Sequence, residues 1–595
     1  MTGAQRHVPF RMPDELFAEV ASGGGSAEAV AFLERAERSR RLFLLRTLLE
    51  RLGPLSTPLT PVAEAWRVLK EAAEAAPGPV DRLLLAPATG GWIAHLLRRL
   101  HGTATGPPVW VDAGHLCSLA VSASLIAGIR ADLWVPLTDG MTHLPGLGLA
   151  RVPETRPGFA VGHALADKGE LRIVETRCDV DSDPDGVWSG PVTSRALRPT
   201  TAPLRGDAVR AEHPDVAPGP PGPPVSWFPL RTLTHFTPAG PVAIPLDDLD
   251  PYRDLDGPIA PARLEDAEAA AWQRLFEAAV AVLAGRDGSG LMRTGPGRVD
   301  PAVIRAVVPW GRTAVLPPAP RTVQISASSG DAFGAMVIAR PSSEFALAET
   351  LVHEFQHSKL AALLHLFRLL DDDRAERYYA PWRADPRHLT GLLHGAYAFT
   401  GVAGFWRDRL ADAPDSRAAE EAGYHFALRR LQSRLVVRTL LRSGRLTAQG
   451  RSMVSGLART LDGWLRETVP PAAVGRARIA AALHRTEWRL HNVVPVADDA
   501  HTPDTPPLRP GRVSWPDVRT YAFATLPEAP RTADEHLAAG NPAAALAGYA
   551  DALAAAPGEP HALAGWIVAH AAVEPGRHAR RMLARPELLQ PLTRS

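Results

Sequence analysis

Apolar residues recur along this chain with two different periods, and the change between them outlines its elements. Most of the first two hundred residues carry the three-to-four-residue spacing of helices. Pro13 opens a short helix to Ala21, and Gly23-Gly24-Gly25 breaks it. Ser26 then caps a long amphipathic helix through Leu49, with Phe32, Leu33, Leu42, Leu44, Leu45 and Leu48 on its apolar side. Asp81–Ala86 and Val109–Asp112 are mixed in character. Residues 132–176 shift toward alternation, as in Leu171–Glu175, which predicts strands and hairpins. Residues 229 to about 330 are again mixed and include a helix over Leu264–Ala284, while 343–490 read as long helices. Asp331–Ala339 predicts a strand stopped by Pro341, followed by helix-start chemistry at Ser342-Ser343-Glu344. The helix that follows runs from Phe345 to about Leu370, with Ala348, Leu351, Val352, Phe355, Leu363, Leu364 and Phe367 at helical spacing. The expected fold is α+β and predominantly helical.

A chain of 595 residues exceeds one core and implies two to four domains. The divisions expected are a mixed, largely helical region at 1–198, a Pro/Gly-rich linker at 199–228 (HPDVAPGPPGPP), a catalytic region at 229–530 and a helical tail at 531–595. In the tail, His536–Leu553 is similar to one tetratricopeptide helix pair, with Leu546 and Tyr549 as core residues. A single pair makes no solenoid groove, so it is either a hairpin docked on the body or a platform for a peptide or protein.

Net charge is +1, which gives no bulk attraction to nucleic acid or anionic membrane, and no nucleic-acid reader motif is present. Cys117 and Cys178 make no disulfide framework, so a reducing cytosol is the simplest home. The N-terminus lacks an apolar signal core, and the longest apolar run, roughly Leu116–Ile129, is too short to span a bilayer.

Chemistry concentrates at His353-Glu354-Phe355-Gln356-His357. Two histidines four apart on a helix share a face and can reach one metal ion, with a glutamate beside the first. The competing reading is two histidines and a glutamate on a helix surface or in a polar core pocket, but a strand before and a capped helix around them is the context a metal site requires. A third protein ligand is needed. The metzincin continuation fails, because Leu360 and Leu363 stand at its glycine and third-histidine positions. His365 lies about 12 Å along the axis from His357, too far to share the ion. Two downstream candidates are Glu376 and His394. His394 sits in GLLHGAYAF, a second helix, where a buried imidazole needs a polar partner that either a metal or a core hydrogen bond supplies. Between them, YYAPWRADPR carries Arg383 and Arg387, which are either solvated loop residues or forks for a carboxylate co-substrate.

The combination of ETLVHEFQHSKL with YYAPWRADPRHLTGLLHGAYAFTGVAGFW resembles the HExxH-type peptide β-hydroxylases that use α-ketoglutarate, and the opening HVPFRMPDELFAEVASGGG also looks like members of that group. The resemblance is most specific over residues 320–410. It implies a non-haem iron(II) dioxygenase acting on a ribosomally made precursor peptide, beside a radical-SAM maturase, with O2 as second co-substrate. His353 and His357 match its metal-binding histidines and His394 the histidine of the downstream LLHG element. Arg383 and Arg387 are the candidates for holding the co-substrate carboxylate, and Glu354 would orient a ligand rather than act as obligatory base. A zinc peptidase, with Glu354 as general base, is the alternative, and a non-catalytic scaffold with a degenerate site is a third class.

Overall fold

In the computed structural model the described residues are 11–153, 155, 157–176, 200–203, 226–237, 240–255, 257–284, 295–310, 313–316, 321–324, 326–495, 507–511 and 519–590. The N-terminal helices fall as the pattern predicts. Helix α1 spans Asp14–Ala21, and α2 spans Ala27–Leu52 with the Ser26 hydroxyl accepting from Ala29 N at 3.3 Å. Helices α3 (Val62–Ala75), α4 (Pro77–Leu85), α5 (Pro87–Leu100) and α6 (Val109–Ala127) follow. The two segments of mixed character, 81–86 and 109–112, therefore belong to helices. Pro77 and Pro87 stand in the first turns of α4 and α5, where the missing N–H costs nothing.

Helix α6, with α3 packed against it, lies on an antiparallel sheet of β1 (Ala131–Thr138), β2 (Met141–Leu144), β3 (Gly148–Arg151), β4 (Phe159–Asp167), β5 (Glu170–Thr176), β6 (Thr200–Pro203) and β7 (Ser226–Pro229), in the order β6-β5-β4-β1-β2-β3-β7. Strand β1 turns Ala131, Leu133, Val135 and Leu137 inward in strict alternation. The stretch expected to be a linker is thus bounded by β6 and β7, both strands of this sheet, and its interior, 204–225, lies outside the described residues, as does Cys178. Helix α6 corrects the apolar-run argument. It starts at Val109, so its 19 residues are long and apolar enough to cross a membrane, but 89% of that window is buried inside the fold.

A second, mixed sheet begins with β8 (Arg231–Thr237) and β9 (Gly240–Leu246). After α7 (Asp266–Ala284) come β10 (Ala306–Pro309), the hairpin β11 (Thr313–Leu316) and β12 (Arg321–Gln324), β13 (Ser326–Ala327) and β14 (Ala335–Ile338). Its order is β13-β14-β10-β9-β8, with β10 parallel to both neighbours. Strand β14 is shorter than predicted because Gly334 turns the chain at φ +79° just before it.

The helical body is α8 (Glu344–Leu366), α9 (Leu389–Ala411), α10 (Ser416–Arg442), α11 (Ala448–Trp464) and α12 (Pro471–Asn492). Helix α8 stops four residues before Leu370 because Phe367 turns extended (φ −134°, ψ 133°) and Leu370 bridges to Leu446. The tail holds α13 (Arg519–Ala522), α14 (Ala533–Ala538), α15 (Pro542–Ala555), α16 (Pro560–Val573) and α17 (Arg577–Ala584).

Two principal hydrophobic cores result. One joins α3–α6 to the first sheet. The other joins α1, the second sheet, the helical body and, through Ala545, Tyr549 and Val568, the tail. Helix α2 enters both, with Phe32 and Leu33 in the second and Leu45, Leu48 and Leu52 in the first.

Candidate metal centre

Helix α8 is held in rotation as well as position. Gln356 and Lys359, on the side away from the histidines, are buried and bind the glycine turn that follows α1: Gln356 Nε2 donates to Gly23 O at 2.8 Å and Lys359 Nζ to Gly24 O at 2.7 Å. Gly23 needs its freedom, at φ +87°. On α9, Gly401 lets Gln356 lie flat, since a Cβ there would fall 2.5 Å from Nε2. Burial without a carboxylate pushes the Lys359 ammonium down to about 7.

This anchoring turns His353 and His357 toward α9 and α10. Their Nε2 atoms stand 3.1 Å apart, about the separation of two nitrogens each 2.0–2.1 Å from one ion. His394 of α9 meets the same ring from its other side, with Nδ1 to Nδ1 at 3.4 Å. Helical spacing and close helix packing thus bring the three predicted histidines together. Their approach vectors diverge, however, because His357 offers a different nitrogen to each neighbour. As placed, no group of three or more His, Cys, Asp or Glu side chains among the described residues is arranged to hold a metal ion. The α8 pair fits one ion directly, and His394 joins them only if its ring or that of His357 turns, which sp³–sp² torsions allow. Burial pushes the His357 imidazole down to about 4 and that of His394 to about 3, and holds His353 well below its ordinary value. All three are therefore neutral near pH 7, the ligating form.

Glu354 is 1% exposed and turns to the sheet edge, where Ser326 Oγ of β13 donates to its Oε1 at 2.6 Å. That oxygen is 4.0 Å from His353 Nε2. Burial raises the carboxyl to about 7 against the hydroxyl bonds that lower it.

The other candidates are placed differently. His365 is bound to Glu37 at 2.6 Å, away from the histidine group. Glu376 is exposed, on a segment without helix or strand. Arg383 Nε donates to Asp385 Oδ1 at 2.8 Å, and Arg387, 3.6 Å from the same carboxylate, lies over Gly391 at the start of α9.

Four residues beside the histidines were not picked out from the sequence. Glu349, one turn before His353, accepts from Trp406 Nε1 at 3.0 Å, and burial raises its carboxyl above the ordinary range. Trp406 stacks on His425 of α10 at 4.3 Å. Arg429, one turn beyond His425, is 6% exposed, and its Cζ lies 4.8 Å from the ring centre of Phe399, which packs edge-on against His353 at 4.9 Å. The four-residue spacings of 349 with 353 and of 425 with 429 are visible in the sequence, but nothing there says that those helix faces meet. In comparisons with known proteins, no family model matches this chain and no curated protein matches it.

Proposed function

We propose that this chain is a non-haem iron(II), α-ketoglutarate-dependent dioxygenase that hydroxylates a side-chain β-carbon of a ribosomally made precursor peptide. The observation that carries the reading is the neutral pair His353 and His357, with Nε2 atoms 3.1 Å apart, joined on the His357 ring by His394. Such a donor set suits iron(II), leaving positions for a co-substrate, and the bound iron would supply the oxidation of an unactivated C–H bond. The protein's own residues do the rest. The bonds of Gln356 and Lys359 fix the imidazoles in direction. Phe399 and Trp382, stacked at 4.7 Å, wall one side and limit water. Glu354, tied to Ser326, orients rather than ligates. The resemblance to the HExxH-type β-hydroxylases, over 320–410, supplies the choice of α-ketoglutarate and of a peptide.

One observation favours the zinc-peptidase reading instead. A buried carboxyl raised to about 7, 4.0 Å from a candidate ligand nitrogen, is what a general base in peptide hydrolysis needs.

Anaerobic reconstitution with iron(II), followed by α-ketoglutarate, separates the two. The expected result is a new visible charge-transfer band, absent in His353→Ala and His394→Ala. A folded protein that holds zinc tightly and shows no band overturns the dioxygenase reading. Peptide cleavage abolished by Glu354→Ala would then establish the peptidase.

A further inference from the structure

We propose that Asp331 is a positioning residue for Glu354: it ties the segment 326–334, a strap whose other end holds the Glu354 carboxyl, to the N-terminal layer. What this does for the reaction rests on metal binding by the α8 pair, which the dioxygenase and peptidase readings share, whereas the strap itself rests on its contacts. At its first end the strap offers hydroxyls. Ser326 Oγ donates to Glu354 Oε1 at 2.6 Å, and Ser328 adds a second hydroxyl bond. The strand that carries Ser326 is a weak support. Its pairing with β14 covers two residues, Ser326 with Ile338 and Ala327 with Val337, fewer than the roughly three to ten of an ordinary strand. Something beyond β13 has to fix the hydroxyls in place.

The far end of the strap supplies that support. Ser329 closes a turn, its Oγ accepting from Asp331 N at 3.2 Å and its carbonyl from Ala332 N at 3.1 Å. The turn aims the Asp331 carboxylate at two arginines from different helices. Arg40 Nη2 of α2 donates to Oδ1 at 2.8 Å, and Arg98 Nη1 of α5 lies 3.5 Å from Oδ2. The Asp331 carbonyl rests on α5 at Gly90, where a Cβ would fall 2.0 Å from that oxygen, so only bare backbone lets the strap lie so close. The same face of α2 seats the rest of the body at steps of three residues. Glu34 binds Arg305, just before β10, Glu37 binds His365 of α8, and Arg40 binds Asp331. Helix α8 and the strap are therefore both referred to α2. The direction in which Glu354 is drawn, 4.0 Å from His353 Nε2, depends on the charges at Asp331 as well as on Ser326. A carboxylate shared by two arginines in a partly buried network holds better than an isolated surface pair, such as Arg38 with Asp81 on the same helix.

Two measurements on the full-length protein test this. In the metal-free state, amide hydrogen exchange reads the strap directly. Asp331→Asn should speed exchange about tenfold at the opposite end, 326–329, and Glu354→Gln should do the same at 331–333, because coupling between two ends is reciprocal. Arg38→Gln, which breaks the exposed pair on α2, should change neither. In the cobalt(II)-loaded state, Asp331→Asn should shift the visible ligand-field bands in the direction of Glu354→Gln, and the double variant should show no more than Glu354→Gln alone. Asp331→Glu, which keeps the charge, guards against a folding defect and should recover part of the wild-type spectrum. The proposal is overturned by exchange that rises only beside the substituted residue, by a cobalt spectrum unchanged in Asp331→Asn, or by full additivity in the double variant. Wild-type protein that takes up no cobalt sinks both metal readings instead, and exchange alone then decides the strap.

Discussion

His353, His357 and His394 in the helical body and His95, His115 and His143 in the N-terminal layer are both trios of crowded imidazoles, but their surroundings differ. In the N-terminal layer acids and a phenol fill the space around the rings. Tyr252 Oη donates to Asp112 Oδ1 at 2.7 Å, Arg99 binds the other oxygen of Asp112, and His95 Nε2 lies 3.6 Å from it. His143 Nδ1 is 3.4 Å from Asp250 Oδ2, and the His115 ring is wedged between Trp92 at 5.0 Å and Tyr252 at 4.8 Å. The His95 and His143 side chains keep 3% and 6% of their surface open, whereas that of His353 keeps 21%. Around His353 the carboxyls are bound elsewhere, Glu354 to Ser326 and Glu349 to Trp406, so nitrogen faces nitrogen. Imidazoles that face carboxylates in a sealed space cement two elements together. Neutral imidazoles that face each other at an opening leave their lone pairs for a ligand.

The largest effect that can break this contrast is on metal content. His353→Ala and His357→Ala should lose bound metal and activity by orders of magnitude, while His115→Ala keeps both and loses stability instead. Elemental analysis of the purified variants checks it, and metal loss in His115→Ala would erase the distinction. Next comes crowding of the opening. A Cβ on Gly395 would fall 2.1 Å from the Trp382 ring, so Gly395→Ala should destabilise by about 1–3 kcal/mol and weaken metal affinity, seen in thermal unfolding and chelator competition.

A comparable effect is expected in the sealed cluster, as a pH dependence. Burial lowers the His143 imidazole to about 4 and raises the Asp250 carboxyl to about 7. The neutral imidazole contributes stability that is present above its ordinary 6.5 and lost as pH falls toward 4. The protonated carboxyl contributes stability that is present below its ordinary 3.8 and lost as pH rises through 7. The two trends oppose each other between those limits. Asp250→Asn removes one of them, so relative to wild type it should lose roughly 1–3 kcal/mol more on acidification from pH 6.5 to 4, measured by denaturant unfolding at each pH. A parallel pair of curves would show that the imidazole and carboxyl are not sealed together. The smallest effect belongs to Ser326→Ala, which frees Glu354 at a cost of about 1 kcal/mol and changes metal affinity less than tenfold.

The helices around the candidate site were legible because their signals are local. The Ser26 and Ser343 caps, the glycine break and the four-residue histidine spacing each act within one or two turns. The strand before α8 was legible for the same reason, though its start was not, since Gly334 sets it. The length of the apolar segment at α6 was underread because an apolar run understates a helix that polar residues extend. His95, His115 and His143 gave no signal, as they come from α5, α6 and β2, with Tyr252 and Asp250 from a loop more than a hundred residues away.

By itself the sequence determined that the chain is mixed and mostly helical, and that His353 and His357 share one helix face beside a glutamate. Hydrogen bonding and side-chain periodicity along one segment suffice for that. Only the tertiary structure decided which nitrogen each imidazole presents, that Glu354 is drawn to β13, and that Arg383 and Arg387 are already paired. Those properties depend on which surfaces meet and what is excluded from water between them, and desolvation is set by the whole packed assembly rather than by any stretch of chain.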